Sequence, residues 1–296
     1  MIVVSVVLWA AVVAAFVFIY YVRHIEARAL GIERVTVAVR DLPDQFEGLR
    51  IVHLSDLHIR DRKRALELGT QAVGLAMSEG ADFVCITGDI GHRSWNLEQA
   101  VTVMARLEAE YGVFAVLGNH DLDRSLELNT FREAVDPGIV ERWRQGMETI
   151  GVDVLFNEHR SVAVDGGMVT VAGVGDPSCG LDNLPAALLD APSADLRILL
   201  SHSPDIFDEP GVEWAQLVLC GHTHGGQIRL PWIGSPWAPV WRRRDRASGL
   251  MRLGAGTVAY VSRGSGAGTA ARFRCPPEVT VLTLTQGYAD ELRIVT

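Results

Sequence analysis

The chain alternates between short apolar runs and longer segments whose apolar residues recur at helical spacing. The apolar runs at 49–55, 83–87 and 113–117 have the length and composition of buried strands. The segments at 64–78 and 97–110 carry apolar residues at every third or fourth position, which predicts amphipathic helices. Strands that alternate with helices indicate parallel β-α-β units in the first half of the chain.

A further helical pattern at 140–150 is followed mainly by strands. The pattern also predicts an opening strand at 35–39 and a turn at 42–48. This order of elements predicts an α/β fold in which two mixed sheets pack together and carry helices on their outer faces. The later predicted strands are 152–155, 161–164, 168–174, 196–200, 217–220, 257–261 and 279–283.

Residues 2–22 contain no charged side chain and are dominated by Val, Ala, Phe and Ile. This segment is long enough to cross a bilayer as one helix. Tyr20 and Tyr21 close it where aromatic residues meet the membrane surface. A cleaved signal peptide with processing at 27–29 is the competing interpretation. Because no Lys or Arg precedes the run, and because it exceeds a normal signal-peptide core, we predict a membrane anchor.

The residues after the apolar segment predict its orientation. Arg23, Arg28 and Arg34 follow the segment, whereas only the α-amine precedes it. This basic excess predicts a single-pass protein of the cell membrane whose larger domain is cytoplasmic. The four cysteines show no CxxC spacing, and two of them lie in apolar strands, which predicts free thiols rather than disulfides.

Composition adds two constraints. With 48% hydrophobic residues, the chain has ample material for a buried two-layer core. Its net charge of −9 argues against nucleic acid as a partner, because a phosphate backbone requires a basic surface. Small anionic molecules are not excluded as substrates, since bound metal ions would locally invert the acidity.

Five of the predicted strands each run into a polar cluster that contains Asp, Asn or His. These oxygen and imidazole groups are ligands for divalent cations. Ligands bind at the carboxyl ends of strands in open α/β sheets, so the five clusters are expected to meet in one crevice. Turns after strands also favour Gly, Asp and Asn for backbone reasons, but that does not explain two histidines at a spacing of two. The clusters are Asp56-Leu57-His58, Gly88-Asp89, Gly118-Asn119-His120-Asp121, Ser201-His202 and Gly221-His222-Thr223-His224.

In order and local sequence, these clusters resemble the calcineurin-like metallophosphoesterase family over about residues 49–262. The resemblance implies a four-layer α-β-β-α sandwich. Together with the apolar run, this predicts a transmembrane anchor and juxtamembrane segment at 1–30 and a catalytic domain at 34–296. It also implies two divalent metal ions, and the ligand types are compatible with Mn, Fe, Zn, Mg or Ni. The implied ligands are Asp56, His58 and His224 for one ion, Asn119, His202 and His222 for the other, and Asp89 as the bridge.

The resemblance places a catalytic side chain beside these ligands. His120 follows Asn119 and would donate a hydrogen bond or a proton to the phosphate or the leaving group. Asp121 is the candidate to orient that imidazole, and a turn or helix N-cap residue is its alternative interpretation. The implied reaction is in-line attack on phosphorus by a hydroxide that bridges the two metal ions.

The implied function is a phosphohydrolase that cleaves phosphodiester or pyrophosphate bonds. Gln227, Arg229 and the segments 262–264 and 272–278 are similar to a branch of membrane-anchored bacterial phosphodiesterases. That similarity suggests a lipid-linked substrate such as UDP-2,3-diacylglucosamine. Hydrolysis of phosphomonoesters or phosphoproteins at the same site is the first alternative. A non-catalytic scaffold is the second, and the intact ligand set with His120 counts against it.

Several residues outside the clusters have two interpretations. Arg263 either binds the substrate phosphate as a bidentate donor or forms a structural ion pair. We expect His92 in a solvated loop rather than at the rim of the pocket, and we expect His53 to be a hydrogen-bonded core residue. The segment 231–246 either meets lipid headgroups or is an ordinary surface loop. Its aromatic and basic residues are Trp232, Trp237, Trp241, Arg242, Arg243, Arg244 and Arg246.

Overall fold

Two mixed β-sheets pack face to face in the computed structural model, and helices cover their outer faces. The structure describes residues 2–124, 135–236, 238–239, 247–254, 256–266, 271–287 and 293–294. In chain order the strands are β1 (Gly31–Val39), β2 (Arg50–Leu54), β3 (Phe83–Thr87), β4 (Val113–Val116), β5 (Val152–Val154), β6 (Glu158–Val164), β7 (Gly167–Gly173), β8 (Leu196–Leu200), β9 (Leu217–Cys220), β10 (Gly249–Leu253), β11 (Thr257–Val261), β12 (Glu278–Gln286) and β13 (Arg293–Ile294).

The first sheet has the strand order β13-β1-β12-β2-β3-β4-β5. Strands β2 to β5 are parallel. The late strand β12 lies between β1 and β2, parallel to the former and antiparallel to the latter. The helices are α1 (Ile2–Tyr20), α2 (Lys63–Ser78), α3 (Leu97–Met104), α4 (Pro137–Glu148) and α5 (Leu184–Ala187).

The second sheet has the order β10-β11-β9-β8-β7-β6. Its four inner strands are parallel, and the two edge strands are antiparallel to their neighbours. The helical layer on its outer face is thin, because it consists of the short α5 and of 3₁₀ turns that include Pro204–Asp208 and Val212–Trp214. The predicted α/β sandwich of two mixed sheets is confirmed.

Three apolar layers hold the sandwich together. Side chains from both sheets form the central layer, which includes Ile51, Phe83, Val171 and Leu219. Helices α2 to α4 cover the first sheet through a second layer that contains Trp143, and the third layer lies outside the second sheet. All of these side chains are shielded from water, which supplies the main driving force for the fold.

Helix boundaries differ modestly from the predicted ones. Helix α4 begins three residues early because Asp136 accepts a hydrogen bond from the Gly138 amide and Pro137 occupies the first turn. Helix α3 ends at Met104, six residues before the predicted end. The amides of Glu110 and Tyr111 donate to the carbonyls of the two residues just before β3, so the chain must leave the helix to enter β4.

The N-terminal helix α1 is exposed along its whole length. Within the described residues, Ile2–Arg28 is the one helical segment long and apolar enough to cross a membrane. Its C-terminal end docks on the 271–275 segment. The Arg272 amide donates to the Val22 carbonyl at 2.9 Å, and the Cys275 amide donates to the buried Glu26 carboxylate at 2.7 Å.

The four cysteines are free thiols, as the sequence predicts. The strands β10 and β13 were not predicted from the sequence pattern. Strand β10 is only half-buried, so it lacks a strong apolar signal. Of the proposed headgroup-binding segment, residues 237 and 240–246 lie outside the described residues.

Candidate metal centre

The polar clusters at the ends of β2, β3, β4, β8 and β9 converge, as predicted from their positions. Within the first sheet, the Asp56 amide donates to the Gly88 carbonyl at 3.0 Å. Across the two sheets, the His222 amide donates to Asp56 Oδ2 at 3.0 Å, and His202 Nδ1 lies 2.7 Å from the Thr87 carbonyl. The crevice is therefore built from both sheets and is held by hydrogen bonds between backbone groups and side chains.

Most of the ligand candidates adopt left-handed backbone conformations, which side-chain-bearing residues avoid at a cost of roughly 1–2 kcal/mol each. This turn takes the chain sharply out of the strand and aims the side chain into the crevice. Backbone strain of this kind concentrates at functional sites, where the surrounding structure maintains it. The φ angles are 54° at Asp56, 47° at His58, 50° at Asp89, 66° at His222 and 50° at His224.

One group of side chains gathers around His58. Its Nε2 lies 3.1 Å from His224 Nε2 and 3.5 Å from Asp89 Oδ2. Asp56 Oδ1 lies 3.4 Å from His224 Nε2. Ligand atoms on one metal ion stand about 3.0–3.4 Å apart when each bond is about 2.1 Å long. These four residues have the separations of a metal-binding site.

A second group gathers around His202. Its Nε2 lies 3.0 Å from His222 Nδ1 and 3.5 Å from Asp89 Oδ2. The Thr87 carbonyl can only accept, so His202 Nδ1 donates to it and Nε2 points into the crevice. The Asn119 side-chain amide donates to the Arg124 carbonyl at 2.7 Å, which turns its Oδ1 away from that contact.

The donor atoms fit divalent cations. Among the described residues, Asp56 Oδ1 and Asn119 Oδ1 are buried oxygen atoms without a hydrogen-bond partner. Such atoms are costly to bury unless something binds them. The remaining atoms of Asp56 are satisfied, because its Oδ2 accepts from Ser55 Oγ and from the His222 amide. These two unpartnered oxygens both belong to residues predicted as metal ligands.

The charge states also fit a cation site. Burial lowers the pKa of His58 and His224 well below the usual range and that of His222 to about 4, so these imidazoles are neutral and can act as ligands. Burial raises the pKa of Asp56 to about 7. Burial likewise opposes ionisation of Asp89, but the neighbouring His202 and His120 outweigh it and hold that pKa well below the usual range.

Two glycines allow the loops to approach this closely. A Cβ at Gly221 would stand 1.8 Å from Ser55 Oγ and 2.5 Å from Asp56 Oδ2. A Cβ at Gly88 would stand 2.6 Å from His202 Nδ1. Neither position has room for a side chain, so the glycines in these two clusters are required by the packing of the crevice.

His120 lies at the mouth of the crevice, with its ring 4.9 Å from that of His58. The guanidinium of the buried Arg93 lies 3.1 Å from His120 Nδ1. Since arginine only donates, a neutral His120 accepts at Nδ1 and carries its proton on Nε2. The His92 carbonyl is also 3.3 Å from Nδ1, and the shorter Arg93 contact decides the tautomer. Arg93 was not predicted as a site residue, although it belongs to the loop that follows Asp89.

The structure corrects the expectation for His92. Its ring stacks on His120 at 4.9 Å, and its Nδ1 lies 3.5 Å from His58 Nδ1. The His92 amide donates to the Ile59 carbonyl, which draws the loop against the first ligand cluster. His92 therefore lines the crevice and is not a solvated loop residue. His53, as expected, is a core residue that is hydrogen-bonded to Thr87 Oγ1 at 2.7 Å.

Asp121, predicted to orient His120, has its described side-chain contacts with backbone amides. Its carboxylate accepts hydrogen bonds from the amides of Gly118, Ile90 and Gly91 at 2.8–3.2 Å. These bonds tie the loop after β4 to the loop after β3. Asp121 therefore stabilises the backbone of the two loops that carry Asp89 and His120. The described contacts to His120 Nδ1 come from Arg93 and His92.

Arg263 is a structural ion-pair residue in this fold. Its guanidinium lies 2.5 Å from the fully buried Glu278 and 2.9 Å from Glu33. Because its guanidinium is paired with these two carboxylates, Arg263 is not positioned as a hydrogen-bond donor to a substrate phosphate. The buried Arg272 lies close to the ligand candidate Asp56. Both line the small space beside Gly264, where an added Cβ would lie 3.0 Å from Asp56 Cβ and 3.4 Å from Arg272 Nη2. Arg272 was not predicted individually, although its segment carried the similarity to the phosphodiesterase branch.

Comparison with known proteins agrees with this geometry. The profile of the family described as calcineurin-like phosphoesterase matches residues 49–226. Phosphodiesterase YaeI of Escherichia coli strain K12 is 34% identical over 81% of this chain and 84% of its own length. The UDP-2,3-diacylglucosamine pyrophosphatase LpxG of Chlamydia trachomatis is 27% identical over 88% and 91%. A transmembrane protein with a metallophosphoesterase domain from Danio rerio is 27% identical over 85% of this chain and 56% of its own length.

The fold, the crevice and these matches define a metal-dependent phosphoester hydrolase. A cluster of residues that could hold a metal ion lies at the carboxyl ends of the strands, where ligands bind in sheets of this kind. The chain belongs to the calcineurin-like phosphoesterase family.

Proposed function

We propose that this protein hydrolyses phosphodiester or pyrophosphate bonds at a centre that holds two divalent cations. The observation that carries the proposal is the position of Asp89 Oδ2, which lies 3.5 Å from both His58 Nε2 and His202 Nε2. One carboxylate oxygen midway between two groups of ligand atoms is the arrangement that a bridging ligand requires. The two groups are Asp56, His58 and His224, and Asn119, His202 and His222.

Cations bound there would polarise the phosphoryl oxygens and lower the pKa of a coordinated water molecule. The chain's own residues then position the substrate and the leaving group. His120 presents an Nε2 proton at the mouth of the crevice and can donate it to the departing oxygen. Arg93 keeps that proton on Nε2 by donating to Nδ1.

The substrate proposal rests on the relatives. YaeI is named a phosphodiesterase and LpxG a UDP-2,3-diacylglucosamine pyrophosphatase. A phosphodiester and a pyrophosphate each join two groups through phosphate, so one site can hydrolyse either kind of bond. We therefore propose a lipid-linked phosphoester such as a diacylglucosamine nucleotide as the substrate class.

We also propose that residues 1–30 anchor the catalytic domain, 34–296, to the cell membrane, with the domain on the cytoplasmic side. The apolar length of α1 and its full exposure support this division. The burial of Val22, Glu26 and Ala27 against the domain also supports it, because cleavage at 27–29 would remove residues that pack on the catalytic domain.

The test combines metal analysis with a substrate panel. Purified full-length protein is expected to contain two equivalents of divalent metal and to hydrolyse bis-p-nitrophenyl phosphate and UDP-2,3-diacylglucosamine faster than p-nitrophenyl phosphate. Preference for the monoester would favour the phosphomonoesterase alternative. A protein that is inert on every substrate with metal bound would favour the scaffold. Release of the full-length protein from membranes by alkaline carbonate would contradict the anchor.

A further inference from the structure

An exposed apolar hairpin lies beside the metal centre, and we call residues 228–234 the apolar finger. It begins four residues after the ligand candidate His224. Isolated exposed apolar side chains are common, but a cluster of them marks an interaction surface. The exposed fractions are 41% for Ile228, 38% for Leu230, 103% for Trp232 and 70% for Ile233.

Backbone hydrogen bonds give the finger a fixed shape. Leu230 and Gly234 exchange two bonds of 2.8 and 3.0 Å, which close a turn with Trp232 at its tip. At the base, the Arg229 amide donates to the Phe273 carbonyl and the Phe273 amide donates to the Gln227 carbonyl, both at 2.9 Å. These hydrogen bonds therefore keep the tip of the finger projecting from the domain.

The same Phe273 touches the N-terminal apolar helix. Its ring meets the Phe18 ring edge-on at 5.2 Å, and the neighbouring Arg272 amide donates to the Val22 carbonyl. Phe18 lies two residues, or about 3 Å of rise, before the end of α1. The base of the finger thus adjoins the last turn of the helix that is proposed to span the membrane.

A basic cluster flanks the same end of the helix. Arg64 Nη2 donates to the Ala27 carbonyl at 3.0 Å, which brings the start of α2 to the helix end. Arg28, Arg62 and Lys63 are exposed there. Basic side chains beside a membrane helix attract anionic headgroups. Apolar and basic groups thus adjoin the same helix end.

We propose that the apolar finger inserts into the bilayer that α1 spans, so that the catalytic domain is seated on the membrane surface with its metal centre close to the headgroups. This rests on the membrane anchor proposed above. Ile228 follows His224 by four residues, so their Cα atoms are at most about 14 Å apart. Arg62 follows His58 at the same spacing. The site therefore draws phosphoesters from lipid headgroups at that surface rather than from solution.

The experiment uses full-length protein in vesicles of phosphatidylethanolamine and phosphatidylglycerol. Trp232→Cys is labelled with an environment-sensitive fluorophore, and Leu189→Cys is the matched control. Leu189 is 68% exposed, and it follows α5, which packs on β6 at the opposite edge of the second sheet from β10. Cys179→Ser removes the one native thiol that is only partly buried.

Nitroxide-bearing lipid is expected to quench the label at position 232, whose emission shifts to the blue, and to leave the label at 189 unchanged. An aqueous collisional quencher should show the reverse. Quenching of label 232 by the aqueous reagent alone would overturn the proposal. Protection from both reagents would overturn it too, since it would indicate a protein partner. Neither readout requires turnover, so failure of the proposed hydrolysis and failure of the insertion are distinguished.

Discussion

At the scale of single residues, the Asp89 carboxylate is shared by side chains from both sheets. Its Oδ1 accepts the His120 amide at 2.9 Å, which leaves Oδ2 between His58 and His202. The hydrogen bond from the His120 backbone therefore holds the Asp89 side chain in one rotamer, with Oδ2 facing the crevice. The same contact links the position of the bridging candidate to that of the candidate acid.

Replacement of Asp89 by Asn should lower both metal content and turnover, because two cations at short range need an anionic ligand between them. Elemental analysis of the purified variant, with kcat on bis-p-nitrophenyl phosphate, measures both. The matched control is Asp153→Asn, which removes a half-exposed partner of Arg160 and should leave metal content unchanged. Two tightly bound metal ions in Asp89→Asn would show that this residue is not the bridge.

Replacement of His120 by Ala should separate catalysis from metal binding. His120 is not among the ligands proposed for either ion, so metal content should stay near that of the wild type. Loss of a positioned acid–base group should lower kcat by about 10²–10⁴-fold. The control is His159→Ala, because His159 Nδ1 contacts the Ala187 carbonyl away from the crevice. Loss of metal together with activity would reassign His120 as a ligand.

At the scale of elements, the crevice depends on how closely the loop after β9 meets the loop after β2. Gly221→Ala is expected to push the two loops apart, because its Cβ would overlap Ser55 Oγ and Asp56 Oδ2. We expect lower metal content and lower kcat with little change in secondary structure. The control is Gly74→Ala in α2, because a Cβ there would meet no heavy atom within 4 Å and the backbone φ is not positive. Equal metal content in Gly221→Ala and the wild type would refute the steric argument.

The ion pair between Arg263 and Glu278 joins the loop after β11 to the start of β12. Arg263→Met should lower the free energy of unfolding by about 3–5 kcal/mol, because it leaves the buried Glu278 without its cation. KM for phosphodiesters should stay the same. Urea unfolding and steady-state kinetics test the two statements. The exposed pair of Arg160 and Asp153 is the comparison, and Arg160→Met should cost less than about 1 kcal/mol.

Strand ends were the elements most readable from the sequence. Apolar runs that end in polar clusters are local signals, so the positions of Asp56, Asp89 and His222 followed from them. The roles of Asp121 and Arg263 did not follow, because each depends on partners that the fold supplies from distant segments. His92 was misplaced for the same reason, since the bond from its amide to the Ile59 carbonyl draws it inward.

At the scale of the whole molecule, the ligand candidates come from both sheets, so bound cations would link the two halves of the sandwich. Chelation by EDTA should therefore lower Tm, and excess Mn²⁺ should restore it. A cation at a hundred times its Kd stabilises the folded state by about 2.7 kcal/mol. That corresponds to a shift of roughly 5–10 °C for a domain of this size. Differential scanning calorimetry measures the shift.

The chelation experiment has an internal control in Asp89→Asn. That variant should already melt near the temperature of the chelated wild type and should respond little to EDTA. If chelation leaves the wild-type Tm unchanged, the cations do not connect the two sheets. If Asp89→Asn responds as strongly as the wild type, the shared carboxylate is not essential for the link.

The placement of β12 between β1 and β2 has a consequence for biosynthesis. On the ribosome, the apolar helix and β1 emerge first, but β1 stays without its parallel neighbour until the nascent chain has grown from Val39 to Glu278. At usual translation rates this takes roughly 10–50 s. Throughout that interval the inserted helix would tether an unfinished sheet with two open edges beside the translocation machinery.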